Sequence, residues 1–217
     1  MRIIAHIAAT GLLLAIAGAG AESRPPGPAG RYRLTGEQDV ASELLIKPDG
    51  RFSYALIAGA LDEKAEGRWR REGDSIFLTT EPKPVPPAFS AGAATHTDSA
   101  PLTVKVVWPD GRGVAGADLR VGFAEGDPIE DYTQEDGWSL SSDERRIPIW
   151  VEVSLHMFGL PAERFPIDVA RANALTFLLT PNDLGTVDFE DMRADLARGR
   201  LVLHRGEGRL VYLRVGK

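Results

Sequence analysis

Over residues 31–80, short apolar runs alternate with polar positions, and turn-forming residues interrupt them about every ten residues. The runs are RYRLT (31–35), SELLIK (42–47), RFSYALI (51–57), KAEGRWRR (64–71) and DSIFLTT (74–80). Period-two alternation sends one set of side chains inward and the other to water, which predicts an antiparallel β-meander. Glu72-Gly73-Asp74 is a tight hairpin candidate within it. The pattern then breaks. Pro82, Pro84, Pro86 and Pro87 open a stretch of small and polar residues that ends at Pro101. It reads as a Pro-rich linker over 81–100, or as an extended crossing strand. Strand-like runs resume at 102–108, 117–123, 138–142, 147–156, 163–169 and 174–180. Pro148 and Pro166 place two of these at sheet edges or bulges.

The last part differs again. In VDFEDMRADLARG, Asp188 is a cap candidate, Phe189, Met192 and Leu196 fall at spacings of three and four, and Gly199 is placed as a stop. That predicts one short helix. Two strands, RLVLHR (200–205) and RLVYLRV (209–215), close the chain around Gly206-Glu207-Gly208. An isolated hairpin is unstable in water, so this one must join a sheet. The N-terminal meander is short of strands for a core of its own. Residues 186–217 therefore complete the meander 31–80, and the middle of the chain is an insertion.

The tetrapeptide Pro-Asp-Gly-Arg occurs twice, at 48–51 and 109–112. Pro sets the first corner of a type I turn, Asp takes the second, and Gly follows in the left-handed region as a one-residue bulge. The flanks of the two copies do not match, so this is one turn solution reached twice and not a duplicated ligand loop.

The segment that follows the second turn has a recognisable grammar. Gly113-Val114-Ala115-Gly116-Ala117-Asp118-Leu119-Arg120-Val121 is followed by Thr133-Gln134-Glu135-Asp136-Gly137-Trp138. Over residues 101–180 the chain resembles the transthyretin-like or carboxypeptidase-regulatory-like domains. The resemblance implies a small seven-stranded β-sandwich that acts without catalytic residues, stabilising or presenting a neighbour. The flanking segments carry G-x-Y-x-L at Gly30–Leu34, L-x-x-P-D-G-x-F across Leu45–Phe52, G-x-W at Gly67–Trp69 and L-x-Y-x-R at Leu210–Arg214. In that order they resemble lipocalin-like extracytoplasmic proteins. The fold expectation is thus all-β: an antiparallel meander or partial barrel plus a transthyretin-like sandwich, with one short C-terminal helix.

The first residues alter the expected compartment. Arg2 precedes an apolar run from Ile3 to Ala17, and Ala19-Gly20-Ala21 is a small-x-small cleavage site. Residues 1–21 read as a signal peptide cut after Ala21, followed by a flexible leader over 22–30. The composition points to a bacterial periplasmic or secreted protein, with no transmembrane span in the mature chain. There is no cysteine, hence no disulfide framework. The net charge of −6 becomes one unit more negative once Arg2 is removed, which disfavours nucleic acid as a partner. The one basic run, Arg68-Trp69-Arg70-Arg71, reads as a solvated strand face over an inward Trp69.

Candidate chemistry is sparse. His96, His156 and His204 stand at no metal-ligand spacing from one another. No nucleophile elbow, phosphate loop or dinucleotide motif is present. The acidic stretch holding Glu125, Asp127, Glu130, Asp131, Glu135 and Asp136 departs from the calcium-loop spacing and reads as a solvated loop. Trp69 and Trp150 are expected in the core. Trp108 and Trp138 border turns, where exposed rings would suit stacking on sugars. No catalytic, cofactor-binding or metal residue is assigned, no cofactor is expected, and no ligand-binding residue is named. The expected function is a non-catalytic binding or structural module of the bacterial envelope, with an envelope protein as partner. The alternatives are a lipocalin-like carrier of a small apolar ligand and, further off, a carboxylate-based hydrolase or carbohydrate-binding module.

Overall fold

The computed structural model describes residues 27–98 and 100–216; the signal-peptide expectation lies outside them. The described residues form strands and one 3₁₀ turn. Five strands come first: β1 Gly30–Leu34, β2 Val40–Ile46, β3 Arg51–Ala58, β4 Leu61–Glu72 and β5 Ser75–Thr80. Eight follow: β6 Ala88–Thr95, β7 Thr103–Val107, β8 Asp118–Phe123, β9 Ile129–Tyr132, β10 Trp138–Ser139, β11 Pro148–Leu155, β12 Leu160–Pro166 and β13 Ala174–Thr180. Three close the chain: β14 Met192–Ala197, β15 Arg200–Arg205 and β16 Gly208–Arg214.

Strands β1–β5 and β14–β16 form one closed barrel in the order β1-β16-β15-β14-β5-β4-β3-β2. Strands β6–β13 form a sandwich of two four-stranded sheets, β10-β7-β13-β6 and β12-β11-β8-β9. All pairings are antiparallel except β7 with β13. Each body has its own apolar core, one of barrel residues and one of sandwich residues.

The short helix expected at 188–199 is not formed. Met192, Ala194 and Leu196 lie two apart on β14, which pairs with Ile76 and Leu78 of β5 on one side and Leu201 and Leu203 of β15 on the other. Two sheet ladders outweigh a weak helical period. The stretch 81–100, read as a linker or an extended crossing strand, is in part a strand. Its second half is β6, an eighth sandwich strand paired with β13. The leader over 22–30 is pinned at its end: the Tyr32 hydroxyl donates to the Pro28 carbonyl, and the Arg214 guanidinium bonds the Ala29 carbonyl.

Both Pro-Asp-Gly-Arg turns have the same geometry. Gly50 and Gly111 lie in the left-handed region at φ 83° and 86°. The Asp49 and Asp110 carboxylates each accept the amide of the residue two ahead, at 3.0 Å. The first turn joins β2 to β3, while the second leads off β7 into a non-identical loop. Pro148 stands beside an irregularity in the β11–β8 register, and Pro166 ends the edge strand β12. Gly113 is required by a close approach, since a Cβ there would lie 1.7 Å from the Glu135 carbonyl oxygen.

The chain returns from sandwich to barrel through 183–189, and this segment is sewn into the barrel wall. The Lys64 amide donates to the Gly185 carbonyl at 2.8 Å, and the Val187 amide to the Lys64 carbonyl at 2.8 Å. Thr80 completes the seam: its amide donates to the Phe189 carbonyl at 2.9 Å, its hydroxyl to the Val187 carbonyl at 2.8 Å, and it accepts the Phe189 amide at 2.9 Å. The Phe189 ring is fully buried, stacked on Phe52 at 6.0 Å and tilted against Tyr54 at 5.1 Å between centroids. Truncation of Phe189 to Ala should therefore lower barrel stability by about 3–5 kcal/mol, read as a reduced urea midpoint with unchanged slope.

Candidate functional site

At the end of the barrel that faces the sandwich, polar side chains meet. Arg205 of β15 grips Glu63 of β4 with both guanidinium nitrogens, at 2.5 and 2.7 Å. One of them also donates to the Tyr54 hydroxyl at 3.1 Å. Nearby, the Tyr212 hydroxyl donates to Ser42 Oγ at 2.8 Å, and Ser42 donates to the Ala55 carbonyl at 2.7 Å. Burial pushes both Tyr54 and Tyr212 above the ordinary tyrosine value, so they stay neutral. The bond to Glu63 raises Arg205 further above its already high value. No described buried side-chain polar atom lacks a partner.

This ion pair forms part of the floor of a cleft of about 520 Å³ between barrel and sandwich. One wall is the proline stretch Pro84, Pro86 and Pro87; the other is the 3₁₀ turn His156–Phe158 with Leu160. The returning segment contributes Leu184 and Val187. A second, larger cleft of about 740 Å³ opens along β6. After Phe89 that strand carries only small side chains, so Phe165, Ile167 and Phe177 line an uncovered end of the sandwich.

The barrel lumen is different. Tyr32, Phe52, Tyr54, Phe189 and Tyr212 project into the barrel core together with the aliphatic side chains of Leu44, Ile76, Leu78, Leu201 and Leu203. An eight-stranded barrel can be filled or can hold one small ligand, and here each of these side chains is at most 3% exposed, so they fill it.

The histidines are dispersed. His156 Nδ1 lies 3.0 Å from Ser154 Oγ and 2.9 Å from Asp118 Oδ2. Serine and aspartate thus share one ring nitrogen, whereas a proton relay needs them on opposite nitrogens. His204 Nε2 meets Asp195 at 2.8 Å, and Ser75 meets the same carboxylate at 2.7 Å. Here the aspartate stands in the middle, again the wrong order. His96 Nε2 lies 3.9 Å from Asp98 Oδ1. Among the described residues no group of three or more His, Asp and Glu is placed to hold a metal.

The acidic stretch does not converge. Glu130 pairs with Arg120 at 3.0 Å, and Asp131 accepts the Trp138 indole N–H at 2.8 Å. Trp108 and Trp138 pack partly against the sandwich core, and Trp69 against the barrel core with its N–H on the Lys47 carbonyl. Trp150 is a correction: it lies on the outer sheet face. Its ring lies across Gly122, where a Cβ would fall 1.8 Å from it, and Arg164 stacks over it at 3.8 Å. Its neighbour Glu152 bridges Arg120 and Arg164 at 2.9 Å each. Burial works to raise that carboxyl, but the two guanidinium groups hold it below the usual range. In the run 68–71, Arg68 pairs with Glu81 and Arg70 with Asp191 and Glu72.

No family model, curated protein or solved structure matches this chain. Among the described residues no helix is long and apolar enough to cross a membrane.

Sequence reasoning missed Glu63 and Arg205. Their only local signal is a charged residue on the inward phase of an otherwise alternating strand: Glu63 shares that phase with Ala65 and Gly67.

Removing one member of the pair, as in Glu63→Leu, should destabilise by about 3 kcal/mol, because it strands the Arg205 cation. The double change Glu63→Leu with Arg205→Met should recover most of that loss; thermal unfolding of the three variants reads it. A second expectation concerns acid. Bonds from Ser75 and His204 hold Asp195 down to about 2 against the opposing effect of burial, and Arg193 adds to them. Its contribution is present above the unfolded carboxylate value near about 4 and lost as pH falls toward 2. The group is partly exposed, so the contribution is at most about 1 kcal/mol. Asp195→Asn should lower Tm at pH 7, and the difference should close by about pH 2.

Proposed function

We propose that this chain is an exported, non-catalytic binding module of the bacterial envelope, working in the periplasm after cleavage behind Ala21. The observation that carries the reading is the pairing of its charges. Glu63 with Arg205, Glu152 with Arg120 and Arg164, and Asp195 with Ser75 and His204 are each closed upon themselves. A general acid, base or nucleophile must instead be free to exchange a proton or form a bond with substrate, whereas these groups are held by fixed partners. Two of the open concave surfaces are largely apolar clefts, which suit recognition more than chemistry.

The resemblance of 101–180 to transthyretin-like domains agrees with this reading, since such sandwiches serve as accessory modules. The carrier reading gains from the closed eight-stranded barrel, the architecture of lipocalin-like proteins. With the lumen filled by side chains, a carried ligand would sit outside it.

Native mass spectrometry of the protein recovered from a bacterial periplasm tests the reading. The expected species begins at Glu22 and carries a co-purifying polypeptide or a reproducible small adduct. A chain that stays in the cytoplasm with residues 1–21 intact would contradict it.

A further inference from the structure

We infer that the cleft between barrel and sandwich is a binding site for a neutral, largely apolar small molecule. The inference rests on the binding-module reading and names its site and ligand class. Its volume of about 520 Å³ falls within the range of sites for small organic ligands. The proline wall is rigid, and Met157, half-exposed on the opposite turn, is an adaptable apolar contact.

Charge decides the ligand class. Five charged side chains line the cleft, and each is already engaged. Glu63 and Arg205 hold each other. Lys83 pairs with Asp188 and Glu190. Asp183 accepts the Val85 amide at 2.8 Å. An anionic ligand would lose its hydration here and meet no free cation, and a cationic one would meet only the Asp183 carboxylate, so the cleft disfavours charge. A neutral molecule loses nothing of that kind. A hydroxyl on it can still donate to the Glu63–Arg205 pair, whose carboxylate has spare acceptor capacity. The site depends on the insertion, because its lining combines barrel and return segment with the proline stretch and the sandwich turn.

Nile red, a neutral solvatochromic dye, is the probe, titrated against the full mature chain. The expected result is saturable binding with a blue-shifted emission. Met157→Glu, an exposed change that leaves both cores intact, should weaken binding at least tenfold by placing an unpaired charge at the cleft. Ala93→Glu, in the larger cleft along β6, should leave it unchanged. Circular dichroism confirms that both variants fold. Binding that Ala93→Glu abolishes and Met157→Glu spares would overturn the site assignment while leaving a binding module. Saturable binding insensitive to both changes, or no saturable binding, would overturn the inference too. The compartment and co-purification result tests the broader reading separately.

Discussion

The structure depends on Phe189 and the few hydrogen bonds around it. The chain leaves the barrel after β5, builds an entire sandwich, and must come back to finish the wall it left open. Thr80, the last residue before departure, bonds the backbone of Val187 and Phe189, the residues of return. The Phe189 ring then seals the lumen against Phe52 and Tyr54. Exit and re-entry are thus tied at one point, 109 residues apart in sequence. Without that tie β14–β16 would have no register against β5, and the barrel would have exposed edges, a liability in any β-protein. The cleft between the two bodies exists because the tie brings the insertion back against the barrel mouth.

The same constraint explains the absence of a usable lumen. The number of strands suits either a filled core or one small ligand, and the side chains decide between them. Here the inward positions carry four tyrosine or phenylalanine rings from the strands and a fifth from the return segment. Binding surface is consequently displaced to the joints: the cleft above the Glu63–Arg205 pair and the open end of the sandwich beside β6. Paired charges elsewhere act as cross-strand staples. The run Arg164–Glu152–Arg120–Glu130 crosses four neighbouring strands of one sheet, with Trp150 laid along it.

Much of the fold was legible because its signals are local. The two Pro-Asp-Gly-Arg turns encode their own geometry in four residues. Pro148 and Pro166 announce an irregularity and an edge because a missing N–H cannot serve a central ladder. Strand β14 was misread because Phe189, Met192 and Leu196 fall at helical spacing; the alternation Met192-Ala194-Leu196 was present but shorter and weaker. Strand β6 was obscured by its own composition, since Ala and Gly carry little strand signal and prolines precede it. Trp150 was assigned to the core because it sits mid-strand, when a glycine on the adjacent strand makes room for it outside. The Glu63–Arg205 pair, 142 residues apart, has no signature in one sequence, because its meaning comes from the register of a closed barrel. The cleft is likewise a product of assembly.

The most direct test of the account is native-state hydrogen exchange on the full chain. If both chain ends form one barrel tied at Thr80 and Phe189, the amides of β2–β4 and those of β15–β16 should lose protection together, at the same denaturant concentration. Loss of protection in β15–β16 well before β2–β4 would show that the closing strands are an appended hairpin, and the central claim would fall.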